Sequence, residues 1–233
     1  MSIIAPQHVP SLAPSAAPGV RLRVLRATPP AHAERAGGVP PSAPEHARAA
    51  RRMIDSHGRV IRDLRLSITD RCNFRCVYCM EPDVRFAPRE ALLTAHEIVR
   101  LARLAASLGV RKIRLTGGEP TLRPDLLSII RSIRAETSLE IAMITNGWRV
   151  TREDCLAWKH AGLHRLTISI DSLRPDRFFA ITRSGAAPDD VLRAARGAID
   201  AGLRPLKLNA VLIRGHNDDE AADLAAIARE LDA

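Results

Sequence analysis

The stretch "RKIRLTGGEPTLRPDLLSIIRSIRA" (residues 111–135) contains in 25 residues the unit from which the chain is built. Its opening, "RKIRLTGG" (111–118), reads as a strand that ends on a glycine pair. Its close, "RPDLLSIIRSIRA" (123–135), reads as a helix with Pro124 in the first turn, where a missing N–H costs nothing. The same rhythm runs outward in both directions. "LRLSIT" (64–69) is an earlier strand. "LTAHEIVRLARLAASLG" (93–109) places Ile98, Leu101, Ala105 and Leu108 on one helical face, with Gly109 as its stop signal. Downstream come a strand over 139–147, a helix over 151–161, a strand over 163–171, a helix over 189–201, a strand over 203–213 and a helix over 218–233.

Five alternations of strand and helix imply parallel strands with helical crossovers. An open doubly wound sheet and a (β/α) barrel both satisfy that pattern. The glycine fingerprints of nucleotide-binding doubly wound folds, G-x-G-x-x-G after the first strand and G-x-x-x-x-G-K-[ST], do not occur. Instead every unusual polar cluster follows the C-terminal end of a strand: Cys72/Cys76/Cys79, Gly117-Gly118-Glu119, Thr145-Asn146-Gly147, and Ser169 with Asp171. A ring of such loops is what a barrel mouth requires. Five units do not close an eight-unit barrel. The expected fold is therefore α/β, a partial, open, TIM-like (β/α) barrel over residues 53–233.

Residues 1–52 read differently. They hold nine of the sixteen prolines, no aromatic residue, and seven arginines against Glu34 and Glu45. Such a segment buries too little apolar surface to offset its ordering entropy, so it is expected to be a disordered extension. It also carries more than half of the formal charge of +9, leaving an ordinary balance in the rest. A basic segment without stacking aromatics argues against nucleic acid as a partner. No apolar run reaches the roughly 18 residues of a membrane span. Three tightly spaced thiols do not form a secreted disulfide framework, so a cytoplasmic protein is expected.

"RCNFRCVYC" (71–79) gathers three of the four cysteines in one loop with C-x3-C-x2-C spacing. A structural zinc site would need a fourth ligand, and the nearest histidines, His57 and His96, lie at no zinc spacing. An iron–sulfur cluster takes thiolates, and a trio leaves one iron open for a small molecule. Cys155 lies on a predicted helix and reads as a small core residue. Arg71 and Arg75 flank the loop's first two cysteines and are candidates for tuning the potential of an anionic cluster.

The loop "CNFRCVYC" together with "LTGGEP" resembles the signature of the radical S-adenosylmethionine (radical SAM) superfamily. Within it, "GRVIRDLRLSITDRCNFRCVYC", "LGVRKIRLTGGEPTLRPDL", "ITNG", "AGLHRLTISIDSL" and "KLNAVLIRGHND" resemble the GTP 3′,8-cyclase family of molybdenum cofactor biosynthesis. The resemblance runs from about residue 54 to 233. It implies a [4Fe-4S] cluster on Cys72, Cys76 and Cys79, with S-adenosylmethionine on the open iron. It further implies that a 5′-deoxyadenosyl radical abstracts hydrogen from GTP, which then cyclises.

By the same resemblance Tyr78, Gly118 and Ser169 contact S-adenosylmethionine, and Glu119 accepts a hydrogen bond from its amino group. Arg65, Arg114 and Lys207 are implied to bind GTP. A physical argument runs alongside: each of these cations interrupts an otherwise apolar strand, and an inward-facing charge there needs a partner. A triphosphate supplies one without a glycine-rich loop. An electron donor and a second copy of the chain are the other expected partners. Ile144 departs from the family, which has a Thr touching GTP at that position. The family's sixth βα unit and second three-cysteine cluster have no counterpart before Ala233, so a fragment of a longer enzyme is expected. A different radical SAM substrate, such as a peptide, and a non-catalytic cluster- or zinc-binding module are the competing readings.

Overall fold

The computed structural model describes residues 52–233. The expected disordered extension falls, apart from Arg52, outside them. Five strands, β1 (Asp63–Ser67), β2 (Lys112–Thr116), β3 (Glu140–Thr145), β4 (Arg165–Ser169) and β5 (Lys207–Asn209), form one sheet in the order β1-β2-β3-β4-β5. Every neighbouring pair is parallel. Sequential parallel order, with no reversal in strand order, is the arrangement of a barrel wall and not of a doubly wound sheet.

The helices are α1 (Ala95–Ser107), α2 (Leu126–Glu136), α3 (Arg152–Ala161), α4 (Pro175–Thr182), α5 (Pro188–Asp200) and α6 (Ala221–Glu230). Their starts are locally encoded. Thr94 and Thr151 each close a reciprocal capping box, with Glu97 and Asp154 respectively. Gly109 follows α1 at φ 87°, the left-handed position that favours glycine. Helix α2 begins at Leu126, two residues after Pro124 and with Asp125 as its N-cap, so the proline precedes the helix instead of sitting in its first turn. The expectation of one helix between the fourth and fifth strands is also corrected, because α4 and α5 both occupy that crossover. Pro175 starts α4 and Arg183, at φ 48°, ends it.

The sheet has two unlike faces. Ile113, Leu115, Ile141, Met143, Leu166 and Ile168 are fully or almost fully buried and pack with Ile98, Ile129, Ile130, Ile133, Cys155 and Phe178 from the helices. The intervening residues point the other way, as the two-residue period of a strand demands. They are Asp63, Arg65 and Ser67 on β1, Lys112, Arg114 and Thr116 on β2, and Glu140, Ala142 and Ile144 on β3. Arg165, Thr167 and Ser169 on β4 and Lys207 and Asn209 on β5 complete this concave face. The result is an open half-barrel with an apolar back and a polar, charged inner wall.

Candidate functional site

The cysteine loop leaves β1 and is held over the strand ends by backbone contacts from two sides. On one side Gly118 N–H donates to Thr69 O at 2.8 Å and Glu119 N–H donates to Arg71 O at 2.7 Å. The approach is so close that only glycine fits. A Cβ on Gly117 would lie 2.2 Å from Thr69 O, and one on Gly118 would lie 2.3 Å from Arg71 O. On the other side Arg75 and Val77 donate their N–H groups to Thr182 O and Ile181 O at the end of α4, both at 2.9 Å. Phe74 is buried edge-on against Phe178 of the same helix and lies 5.9 Å from Trp148. The helix hidden from sequence reasoning is thus the seat of the cysteine loop.

Cys72, Cys76, Tyr78 and Cys79 line one cavity of about 140 Å³ with Gly118, Glu119 and Ser169. Thr116, Thr145, Asn146 and Asp171 complete its polar side, and Ile144 adds an apolar patch. Cys72 and Cys76 are half-buried and Cys79 is exposed. Burial raises the Cys72 thiol, and burial together with the Asp171 carboxylate pushes Cys76 up to about 12. Such thiols are poor spontaneous nucleophiles, and ionise as ligands only when a cation takes the charge. Among the described residues, no three His, Cys, Asp or Glu side chains are gathered as for one metal ion. The loop's own soft donors are three thiols; the carboxylates in the same cavity, Glu119 and Asp171, are hydrogen-bonded within the chain.

Glu119 is only 1% exposed. Its Oε1 accepts from Thr121 N–H, Thr121 Oγ1–H and Thr145 Oγ1–H at 3.1, 2.8 and 2.7 Å. Its Oε2 accepts from Asn146 N–H at 2.7 Å. Burial raises its pKa and these donors oppose the rise. Oε1 is fully engaged within the chain, whereas Oε2 makes a single contact and retains a lone pair for an outside donor.

Tyr78 is 46% exposed, yet its hydroxyl donates to Asp171 Oδ2 at 2.7 Å. Burial first, and Asp171 second, raise the Tyr78 hydroxyl. Asp171 also accepts from Val211 N–H at 2.9 Å through Oδ1, and burial raises its own pKa. Asn217, fully buried, donates to the backbone oxygens of Asp171 and Val211 and accepts from Ile213 N–H. Asn73 accepts from Asn146 Nδ2–H at 2.7 Å, tying the cysteine loop to the end of β3. Sequence reasoning flagged Asp171 and Asn146 but gave no role to Asn73 or Asn217. Their signal is their place in "CNFRC" and "GHND", short polar residues beside tight turns.

Arg65, Arg114 and Lys207 do not line the cavity. Arg65 and Arg114 lie on the same concave face one pleat below Thr116, about 7 Å toward the strand N-termini, whereas Lys207 is in register with Thr167 and Ile144, one pleat below Ser169. Arg65 pairs with Arg114 across β1 and β2, and Lys207 pairs with Thr167 across β4 and β5. None of the three has a carboxylate within ion-pair distance among the described residues. Between the arginines and β4 stands Ala142, whose small side chain leaves the wall free of bulk. Against the larger effect of burial, Arg75 acts through its charge to lower the Cys72 thiol. Its guanidinium donates to Cys72 O and Phe74 O, both at 2.8 Å, and stacks 5.0 Å over Phe86.

Comparison with known proteins agrees with this geometry. A family model for the radical SAM superfamily matches residues 66–228. GTP 3′,8-cyclases are similar in sequence. That of Marinobacter nauticus is 48% identical over 180 residues, covering 77% of this chain and 54% of the relative. GTP 3′,8-cyclase 1 of Pseudomonas aeruginosa is 51% identical over 182 residues, covering 77% and 55%. The chain therefore spans about half the length of the curated relatives it matches. In structure, Streptococcus suis SuiB bound to S-adenosylmethionine aligns with a TM-score of 0.63 at 18% identity, covering 73% of this chain and 38% of SuiB. The enzyme anSMEcpe with bound AdoMet aligns at 0.56 and 14% identity, covering 73% and 48%. With the family model spanning most of the folded region, a three-thiol loop at the mouth of a parallel half-barrel and the glycine pair docked against it, the chain belongs to the radical SAM superfamily.

Proposed function

We propose that the chain acts on GTP as a GTP 3′,8-cyclase, with Cys72, Cys76 and Cys79 as ligands of the [4Fe-4S] cluster its superfamily uses with S-adenosylmethionine. The all-thiol donor set suits such a cluster. When bound, the pair supplies a one-electron route to a hydrogen-abstracting carbon radical, for which an external electron donor is required. The chain's own residues do the rest. Glu119, pinned by four hydrogen bonds, offers Oε2 to an amino group. Ser169 presents its hydroxyl from the end of β4, and Gly118 admits a ligand beside the loop. Tyr78 is held by Asp171 on the opposite rim.

The observation that carries the substrate assignment is the set of cations on the concave face beside and below the cysteine cavity, Arg65 and Arg114 on one level and Lys207 one pleat above them, none of them ion-paired among the described residues. A polyanion seated there leaves its nucleoside facing the thiols. A peptide has no use for three such cations, so a phosphorylated substrate is the better fit. Sequence similarity to GTP 3′,8-cyclases supports guanine as the base.

The test is anaerobic reconstitution with iron and sulfide, then incubation with S-adenosylmethionine, a reductant and GTP or ATP. The expected result is iron incorporation and 5′-deoxyadenosine formed with GTP in preference to ATP. Incorporation of zinc without iron, or equal response to both nucleotides, overturns the assignment.

A further inference from the structure

The concave wall carries more charge than the three unpaired cations. Five basic side chains point into it from the strands: Arg65, Lys112, Arg114, Arg165 and Lys207. Two acidic ones join them, Asp63 and Glu140. These are not mixed at random. A row of alternating sign runs across four strands, Asp63, Lys112 and Glu140 in register on the lowest level and Arg165 reaching down to them from the level above. Lys112 Nζ lies 3.9 Å from Asp63 and 3.4 Å from Glu140, and Arg165 Nε lies 2.6 Å from Glu140. Glu140 is the hinge of this row because it alone holds two cations.

The register makes the arrangement informative. Arg165 stands opposite Ala142, on the level of Arg65 and Arg114, yet its guanidinium is drawn down one level to Glu140. Without Glu140, Arg165 would join Arg65 and Arg114 as a third unpaired guanidinium on that level. With it, the floor sums to zero, and positive potential is confined to Arg65, Arg114 and Lys207. Lys112, Glu140 and Arg165 are partly buried, with side chains 22, 29 and 35% exposed, which keeps their fields from being wholly screened, whereas Asp63 is exposed.

We propose that Glu140 is a specificity-determining residue that sets how deep a phosphate chain descends into the half-barrel, by neutralising Arg165 and Lys112 beneath the binding layer. The proposal rests on the reading of a phosphorylated substrate given above and adds its stopping point. A triphosphate halts at Arg65 and Arg114, with its nucleoside at the height of the thiol cavity. If Arg165 were released, the anion would settle lower and toward β4, drawing the nucleoside away from the reacting position. Tighter binding and poorer turnover would then go together, a combination that loss of structure does not produce.

The experiment is calorimetric titration of the iron-reconstituted chain with inorganic tripolyphosphate, GTP and GDP, for the wild type, Glu140→Gln and the double variant Glu140→Gln/Arg165→Gln. The glutamine keeps shape and removes one charge. Glu140→Gln is expected to bind tripolyphosphate about three- to tenfold more tightly, with a steeper dependence on salt. It is also expected to narrow the preference for GTP over GDP and to lower 5′-deoxyadenosine formation with GTP. The double variant, whose floor retains only the Asp63–Lys112 pair, is expected to return to wild-type affinity and salt dependence. Unchanged or weaker tripolyphosphate binding by a folded Glu140→Gln chain overturns the proposal and leaves the substrate reading intact. The expected response to tripolyphosphate, with GTP bound no better than tripolyphosphate itself, supports the charge floor and overturns the guanine assignment. If the wild type binds none of the three anions, both fall. Should Glu140→Gln not fold, Arg165→Gln alone decides: it leaves Glu140 facing the binding layer and is expected to weaken tripolyphosphate several-fold, and no change overturns the proposal.

Discussion

Replacing Gly118 by Ala puts a methyl group where the cysteine loop passes closest to the sheet. The new Cβ would lie 2.3 Å from Arg71 O and 2.6 Å from both Arg71 C and Asp70 O. Ordinary contact begins near 3.4 Å, so residues 70–71 must retreat by about 1 Å. The obstacle is backbone and cannot swing aside as a flexible side chain would. Two hydrogen bonds span this gap, Gly118 N–H to Thr69 O at 2.8 Å and Glu119 N–H to Arg71 O at 2.7 Å. At about 1 kcal/mol each, with about 1–3 kcal/mol for overpacking, the loss of stability should be about 3–5 kcal/mol. Because the displaced backbone adjoins Cys72, iron incorporation should fall as well. Urea unfolding of the metal-free protein gives the first quantity and iron per chain after reconstitution gives the second. Gly185→Ala is the control, since its Cβ meets nothing nearer than Trp148 at 3.9 Å, and it should change stability by less than about 1 kcal/mol. A Gly118→Ala protein with the unfolding midpoint and iron content of the wild type would refute the reasoning.

Three further outcomes are expected. Burial raises Asp171 above its ordinary 3.8, so the folded state holds a proton that the unfolded state releases. That contribution is fully present below the unfolded value and is lost as pH rises through the folded one. The cost of Asp171→Asn should therefore be larger near pH 4 than at pH 7 in urea titrations; a cost that grows with pH contradicts the shift. Arg114→Leu removes one of two like charges paired across β1 and β2. It should leave the ligand-free protein as stable or up to about 1 kcal/mol more stable by thermal unfolding, while weakening GTP binding at least tenfold by calorimetry. Ile144→Thr places a hydroxyl on the rim of the cavity, and GTP titration should show tighter binding than for the wild type.

Much of the architecture was legible because the signals were local. Strand ends marked by "TGG" and "TNG" survive any tertiary arrangement, and α1 was legible as a helix, but its buried face was only half read: Ile98 and Ala105 are in the core with Val99 and Ala102, whereas Leu101 is exposed. Helix α4 was not legible, because strand–helix alternation assumes one helix per crossover. "PDRFFAIT" carries an exposed Phe179 beside a buried Phe178, which blurs its apolar face. The candidate site divides in the same way. The cysteines and glycines are recognisable by type and spacing. The pairing of Asn73 with Asn146, and the drawing of Arg165 to Glu140, depend on register between strands and are absent from any single segment. Glu119 shows the limit most clearly. Its identity suggested a ligand contact, but only the fold reveals that one of its oxygens is consumed internally.

The hydrogen bonds that frame the cysteine loop have a consequence for how the chain reaches its native state. Asn73 waits for Asn146, 73 positions later, and Tyr78 waits for Asp171, 93 positions later. Closing spans of that length carries an entropic cost that only an already assembled sheet can offset. The thiols of Cys72, Cys76 and Cys79 therefore spend the early part of folding without the loop geometry that later half-buries two of them. A nascent chain has to keep three neighbouring sulfurs reduced, and free of stray metal, until β4 and α4 are in place.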